Sequence, residues 1–244
     1  MTKILVISDI HANLTALEAV LQDAGPVEET WCLGDVVGYG PDPNDCILRL
    51  IGLPNLTCLM GNHDMAAVGG LVLDVFNHDA RNSLIWQKKV LTAESLDFLR
   101  TRPQVLQTRG EVSLVHGSPR DPVWEYVLNT AVALENLEHF DTHWCFLGHT
   151  HYQSIFQYHT DSQRMEIQLP KPGDTYSMNG RAILNPGSVG QPRDRDTRAA
   201  YAIYDTESNT WQPKRVTYDI KEVQERIIKA GLPARHAKRL SSGW

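Results

Sequence analysis

Lys3-Ile4-Leu5-Val6-Ile7-Ser8-Asp9-Ile10-His11-Ala12-Asn13 is the stretch whose reading decides the fold. Lys3–Ser8 is an apolar run of the kind found in a strand buried on both faces. Asn13 is a good helix N-cap, and Leu14, Leu17, Val20, Leu21 and Ala24 then recur at helical spacing until Gly25-Pro26 stops them. Thr30–Leu33 reads as a second strand, Pro43–Ile51 as a second helix and Asn55–Met60 as a third strand. A βαβαβ series of this kind implies a parallel sheet with right-handed crossovers.

Further along, residues 78–100 read as one helical stretch, Gln104–Arg109 and Val112–His116 as strands joined through Gly110, and Thr130–His139 as a helix. Strand patterns follow at Trp144–Leu147, Tyr152–Tyr158, Arg164–Leu169, Arg181–Asn185, Ala200–Asp205 and Trp211–Tyr218, before a C-terminal helix opened by Asp219 or Lys221. The simplest packing of this strand-rich half is two sheets face to face with helices outside, and no domain boundary is visible.

Composition narrows the function. The chain has 244 residues, 23 Lys+Arg against 29 Asp+Glu and a net charge of −6, which argues against a general binder of nucleic acid or anionic membranes. Hydrophobic residues make up 42%, enough for a sizeable core. The apolar runs are too short for a membrane span or a signal-peptide core. Cys32, Cys46, Cys58 and Cys145 form no CxxC pair and read as reduced core residues of a cytoplasmic protein.

Five short motifs sit at the C-terminal ends of expected strands: Asp9-Ile10-His11, Gly34-Asp35, Gly61-Asn62-His63-Asp64, Val115-His116-Gly117 and Gly148-His149-Thr150-His151. Each alone reads as well as a polar strand end, turn or cap. On an extended chain, side chains at i and i+2 point the same way, so Asp9 with His11 and His149 with His151 converge in pairs. Open α/β sheets place ligand sites outside the carboxyl ends of their strands, which would aim all five motifs into one crevice. Carboxylates this close repel unless cations lie between them. Mixed imidazole and carboxylate donors suit Mn²⁺, Fe or Zn²⁺ better than Ca²⁺, and seven candidates suit two ions sharing a bridging carboxylate.

In this order the five motifs resemble the calcineurin-like metallophosphoesterase superfamily. Gly38-Tyr39-Gly40-Pro41 and Asn185-Pro186-Gly187-Ser188-Val189-Gly190 are further similar to its compact bacterial phosphodiesterase-like branch. The resemblance implies an α/β (α+β) fold, a four-layer αββα sandwich of two mixed β-sheets flanked by helices, in a single domain over residues 1–244. It implies two divalent metal ions, with Asp9, His11, Asp35 and His151 holding one and Asp35, Asn62, His116 and His149 the other. His63 would face the scissile phosphate without ligating metal, and Asp64 would orient His63. Phosphoprotein phosphatases of the superfamily carry Gly-Asp-x-x-Asp-Arg-Gly, with the second Asp supporting the catalytic His. Here Gly38 and Tyr39 stand in place of that Asp and Arg, which argues against phosphoprotein and dinucleoside tetraphosphate substrates.

The implied activity is a metal-dependent phosphoric ester hydrolase, acting on a small phosphodiester or phosphomonoester by attack of a metal-bridging hydroxide. His63 would stabilise the transition state or protonate the leaving oxygen. The competing readings are a lapsed scaffold or interaction module on the same fold, a dinucleoside polyphosphate hydrolase and a phosphoprotein phosphatase. For substrate, Arg193, Arg195 and Arg198 follow the Gly-rich loop and Arg120 follows the His116 loop; Arg forks suit phosphate, yet interleaved Asp194 and Asp196 fit a solvated loop equally well. Tyr39 reads as a base-stacking or rim-packing aromatic. Asn77-His78-Asp79 reads as a helix cap. His139, His143, His159 and His236 read as surface or core-edge residues, and Arg235–Arg239 as a solvated helix face.

Overall fold

The computed structural model describes residues 3–108, 111–171 and 173–244. In chain order the strands are β1 (Lys3–Ile7), β2 (Glu29–Cys32), β3 (Leu56–Cys58), β4 (Val105–Thr108), β5 (Val112–Val115), β6 (Trp144–Phe146), β7 (Gln153–His159), β8 (Arg164–Gln168), β9 (Tyr176–Ser177), β10 (Ala182–Pro186), β11 (Ala199–Asp205) and β12 (Thr210–Val216). The α-helices are α1 (Leu14–Ala24), α2 (Pro43–Ile51), α3 (Asn62–Ala67), α4 (His78–Val90), α5 (Ala93–Arg100), α6 (Thr130–Asn136), α7 (Ile220–Lys229) and α8 (Ala234–Leu240). Short 3₁₀ turns occupy Leu73–Val75 and Leu137–His139.

Two six-stranded mixed sheets form, ordered β3-β2-β1-β11-β12-β9 and β4-β5-β6-β10-β7-β8. β1, β2 and β3 pair in parallel, as the βαβαβ pattern requires, and β5, β6 and β10 pair in parallel in the second sheet. The alternation of side chains builds the layers. Ile4 and Val6 of β1 join Trp31, Phe146, Leu184, Tyr204 and Trp211 between the sheets. Leu5 and Ile7 face the other way, into a cluster with Leu17, Val20, Ile47 and Leu50 of α1 and α2. Across the second sheet, Cys145, Phe156 and Ile183 pack on Ala133 of α6 and on Leu137. All of Ile4–Ile7 is fully buried, so the run is apolar because both faces are covered, each such side chain contributing about 1.5–3 kcal/mol. The result is the four-layer αββα sandwich, and its four cysteines are free and buried.

Boundaries shift by a residue or two, and two elements divide. The stretch 78–100 is two helices because Leu91 leaves the helical region and Thr92 starts again, its hydroxyl accepting from Ser95 N–H at 3.2 Å. Asn44 of α2 clasps the break, donating to Val90 O at 2.8 Å and accepting from Thr92 N–H at 3.0 Å. The C-terminal helix is likewise two, α7 capped by Asp219 and α8 entered through Gly231 (φ +71°) and Pro233. Asn77 caps α4, its side chain accepting from Ala80 N–H. Arg109 and Gly110, at the expected joint between β4 and β5, lie outside the described residues. Among the described residues no helix is long and apolar enough to cross a membrane.

Candidate metal centre

The loops leaving β1, β2, β3, β5 and β6 at their carboxyl ends meet in one buried cluster. Asp9, His11, Asp35, Asn62, His116, His149 and His151 are each at most 3% exposed. Ligating atoms of Asp9, His11 and His151 lie within 4.8 Å of one another, as do those of His11, Asp35 and His63, and of Asp35, His116 and His149. Asp35 thus belongs to two groups on either side of it.

Forming the cluster strains the backbone. Asp9, His11, Asp35, His149 and His151 all hold left-handed φ values between 49° and 63°, a region that costs a non-glycine residue roughly 1–3 kcal/mol. A mesh of backbone bonds holds them there. Asp9 N–H donates to Gly34 O at 3.0 Å, His11 N–H to Asp35 O at 3.0 Å and Gly190 N–H to Asp9 O at 3.0 Å. Ser188 Oγ adds a bond to Asp9 O, and Asn185 Nδ2 ties Gly148 O and Thr150 Oγ1. The stretch Asn185–Gly190 therefore braces the ligand loops.

The ring nitrogens are assigned by their partners, because a carbonyl can only accept. Nδ1–H of His11 donates to Val37 O (2.9 Å), of His116 to Leu33 O (2.9 Å) and of His151 to Gln191 O (2.6 Å). These three rings present Nε2 to the cluster, each locked by a carbonyl behind it. His149 is reversed: its Nε2–H donates to Trp124 O at 3.1 Å, which leaves Nδ1 facing inward.

Two consequences fit divalent cations. The Nε2 atoms of His11 and His151 face each other at 3.1 Å while burial holds both rings well below the usual imidazole range. Two lone pairs at that distance repel, and a cation between donors of this type removes the repulsion. Beside them Asp9 Oδ1 is buried without a partner. Burial, reinforced by the charge of Asp35, raises the Asp9 carboxyl to about 7. On the other side burial opposes a proton on His116, but the Asp35 carboxylate at 3.4 Å prevails and raises it to about 9. Burial also works against the Asp35 charge, yet His116 and His63 hold this carboxyl well below its usual value. Carboxylate, amide oxygen and imidazole together make a mixed N/O donor set suited to Mn²⁺, Fe or Zn²⁺.

His63 stands at the edge of this cluster, its ring edge-on to His11 at 5.0 Å, and burial lowers its pKa to about 4. Its N–H in the backbone donates to Asp35 Oδ1 at 2.9 Å. Among the described residues no hydrogen bond joins Asp64 to the His63 imidazole. The Asp64 carboxylate instead accepts from Gly61, Val36 and Val37 N–H at 3.0–3.2 Å, fixing two loops against each other. The hydroxyl of Tyr39 lies 3.1 Å from His63 Nε2 and accepts from Arg193 Nη2 at 3.2 Å. Tyr39 is thus no rim aromatic: it is 6% exposed, at φ +57°, and packed between His11, His63 and His236. Gly38 explains its own presence. It sits at φ +97°, and a Cβ there would lie 2.8 Å from His63 Cγ and closer still to Nδ1. A side chain at position 38 would therefore collide with the His63 ring where it now stands.

Other expectations change. Arg198 forks onto Asp196 at 2.6–3.2 Å and Arg120 pairs with Glu125 and Glu135, so neither guanidinium is directed at the cluster. Arg195 lies over Trp244. His236 is 1% exposed, on the core-edge side of its expectation, donating through Nε2 to Asp79 O; in the run Arg235–Arg239, Arg235 and Lys238 are exposed as expected of a solvated face, while Arg239 is half-buried. Sequence reasoning also passed over Phe76, Trp124 and Tyr126. Phe76 packs edge-on to His63 at 5.0 Å, Trp124 tilts against Phe76 at 5.2 Å and Tyr126 stacks on His149 at 3.8 Å. None of these lies at a spacing related to the motifs, so no local signal marks them.

Comparison with known proteins agrees with this geometry. The model of the calcineurin-like phosphoesterase superfamily domain matches residues 2–209. An uncharacterized protein of Methanocaldococcus jannaschii is 37% identical over 246 residues, covering 98% of both chains. A metallophosphoesterase from Sphaerobacter thermophilus, known by crystal structure, is 43% identical with a TM-score of 0.91, covering 100% of this chain and 99% of that one. A hypothetical protein from Pyrococcus horikoshii shares the fold at 22% identity and a TM-score of 0.79, with 100% and 99% covered.

Proposed function

The chain belongs to the calcineurin-like phosphoesterase superfamily, and on that premise we propose that it is a dinuclear metal-dependent hydrolase of small phosphodiesters or phosphomonoesters. The observation that carries the reading is the pair of facing His11 and His151 lone pairs beside the unpartnered Asp9 Oδ1. Asp9, His11, Asp35 and His151 would hold one cation, and Asp35, Asn62, His116 and His149 the other. When bound, two such ions make hydroxide available near neutral pH and offset charge on the phosphoryl oxygens.

The rest falls to the chain's own groups. Asp35 keeps its charge in the buried site and is shared by both ligand sets. The backbone carbonyls behind His11, His116 and His151 hold those rings in the tautomer that offers Nε2. His63 is the proton-handling group, a role worth about 10²–10⁴-fold. Its Nε2 shares a proton with the Tyr39 hydroxyl, which burial keeps neutral and whose oxygen accepts from Arg193 behind it. The line Arg193–Tyr39–His63 thus takes over the supporting task that the missing Asp has in phosphoprotein phosphatases. Asp64 keeps the Gly61 and Val36–Val37 backbones in register. We read residues 1–244 as one domain and the protein as cytoplasmic, consistent with four unpaired buried cysteines.

Metal analysis of purified protein, followed by a panel of mono- and diesters with Mn²⁺ added, tests the reading. Two metal equivalents per chain and turnover of at least one ester are expected. Full metal occupancy with no turnover of any phosphoester would return the scaffold reading.

A further inference from the structure

Helix α4 turns Ala80, Ser83, Leu84 and Gln87 toward the interior, the i, i+3, i+4, i+7 spacing of a buried helical face. Gln87 breaks the pattern: it is a carboxamide, 0% exposed, where that period calls for an apolar side chain. A buried amide is costly unless its oxygen and nitrogen are bonded. The bonds of Gln87 go to one short turn. Gly38 N–H donates to Gln87 Oε1 at 2.6 Å, and Gln87 Nε2 donates to Gly40 O at 3.0 Å. A backbone N–H can only donate and a carbonyl can only accept, so these partners fix which way the amide points. The carboxamide therefore bridges the residues on either side of Tyr39.

That turn needs holding. Tyr39 sits at φ +57°, and Gly40 N–H reaches back to Gly38 O at 2.6 Å, which makes Tyr39 the centre of a γ-turn. With φ positive this is the rare, strained form, which persists only where its surroundings impose it. What the turn sets is the place of the Tyr39 hydroxyl, 3.1 Å from His63 Nε2. The same helix reaches the Tyr39 ring by a second route. Asp79 O accepts from His236 Nε2, and the His236 ring stands edge-on to Tyr39 at 4.9 Å. Helix α4 thus fixes Tyr39 by backbone and by ring, although none of its residues is among the donors of the metal cluster.

We propose that Gln87 is a positioning residue for the hydrolysis: its carboxamide holds the Gly38–Gly40 turn so that the Tyr39 hydroxyl meets His63, and it acts on turnover only through that hydroxyl. The proposal rests on the hydrolase reading above for the role of His63. A carboxamide that served only to anchor α4 would affect the protein equally with or without the hydroxyl.

A double-mutant cycle on the full-length, metal-loaded protein separates the two. Gln87→Met keeps the length of the side chain and removes both bonds. It should lower kcat about 10–100-fold with KM and metal content unchanged, the scale expected when a group is misplaced by an ångström. In a Tyr39→Phe background, where no hydroxyl is left to place, the same change should alter kcat by less than about twofold. Equal losses in both backgrounds overturn the proposal, and so does a Gln87→Met that turns over at the wild-type rate. If Gln87→Met does not fold, Gln87→Asn, a methylene too short to bridge both groups, carries the same cycle. The ring-nitrogen resonance of His63, read by NMR on the zinc-loaded protein, gives a measure free of catalysis. In the Gln87 variant it should move toward its position in Tyr39→Phe, and a resonance that stays at the wild-type position overturns the proposal. If wild type hydrolyses no ester, the hydrolase reading fails while the resonance still decides whether Gln87 places the hydroxyl.

Discussion

The metal cluster lies between two walls of opposite character. On one side Tyr39, Arg193 and α8 form a buried, hydrogen-bonded, cationic wall that clamps His63. On the other, Phe76, Trp124 and Tyr126 form an aromatic wall, with Tyr126 44% exposed and stacked on His149. Both walls rest on imidazoles, but they constrain them differently. The cationic wall fixes a ring through directional bonds in a desolvated setting, where a misplaced atom is costly. The aromatic wall offers apolar area and a flat face, which tolerates loss because water takes its place. The first wall should therefore govern turnover and the second should govern affinity for the organic part of a substrate.

Removing what the walls share gives the largest effect. Asp35→Asn should bring turnover to background and lower bound metal by at least one equivalent, read by elemental analysis and steady-state rates. Wild-type turnover in this variant would sink the two-cation reading. Next is His63→Ala, which should lower kcat by about 10²–10⁴-fold with metal content unchanged. Gly38→Ala tests the cationic wall without altering any polar group. The added Cβ collides with His63 and suffers the left-handed backbone, so kcat should fall toward the His63→Ala level, with a stability loss of about 1–2 kcal/mol seen as a lower Tm. A fully active Gly38→Ala would show that the position of His63 is not tightly required. The smallest effect is expected at Tyr126→Ala: a KM rise of a few-fold for aromatic or nucleoside esters, kcat nearly constant, and stability within about 1 kcal/mol. Should Tyr126→Ala reduce kcat more than Gly38→Ala does, the division of labour between the walls is wrong.

The cationic wall was partly legible in the sequence and the aromatic wall was not. Arg193 and Tyr39 stand next to recognisable motifs, although Tyr39 read as a rim residue and proved buried. His236 gave no signal, because a short basic run on a helix looks the same whether one of its members faces water or Tyr39. Phe76, Trp124 and Tyr126 lie in loops whose course depends on what they pack against.

What the sequence by itself determined is the part written at short range. The apolar run Ile4–Ile7 and the caps Asn13, Asn77 and Asp219 follow from local pattern and cap chemistry, which need no knowledge of distant residues, whereas Asp9/His11 and His149/His151 lie beyond the strand ends and converge through left-handed backbone rather than through the extended-chain period. Only the tertiary structure decided the rest. It split residues 78–100 where Asn44 clasps the chain, and turned His149 to offer Nδ1 where its companions offer Nε2. It also held five cluster residues in left-handed backbone and brought α8 across more than two hundred positions to the loop after β1. Such features depend on which carbonyl, carboxylate or ring another part of the chain supplies at the point of contact, and local sequence carries no record of that.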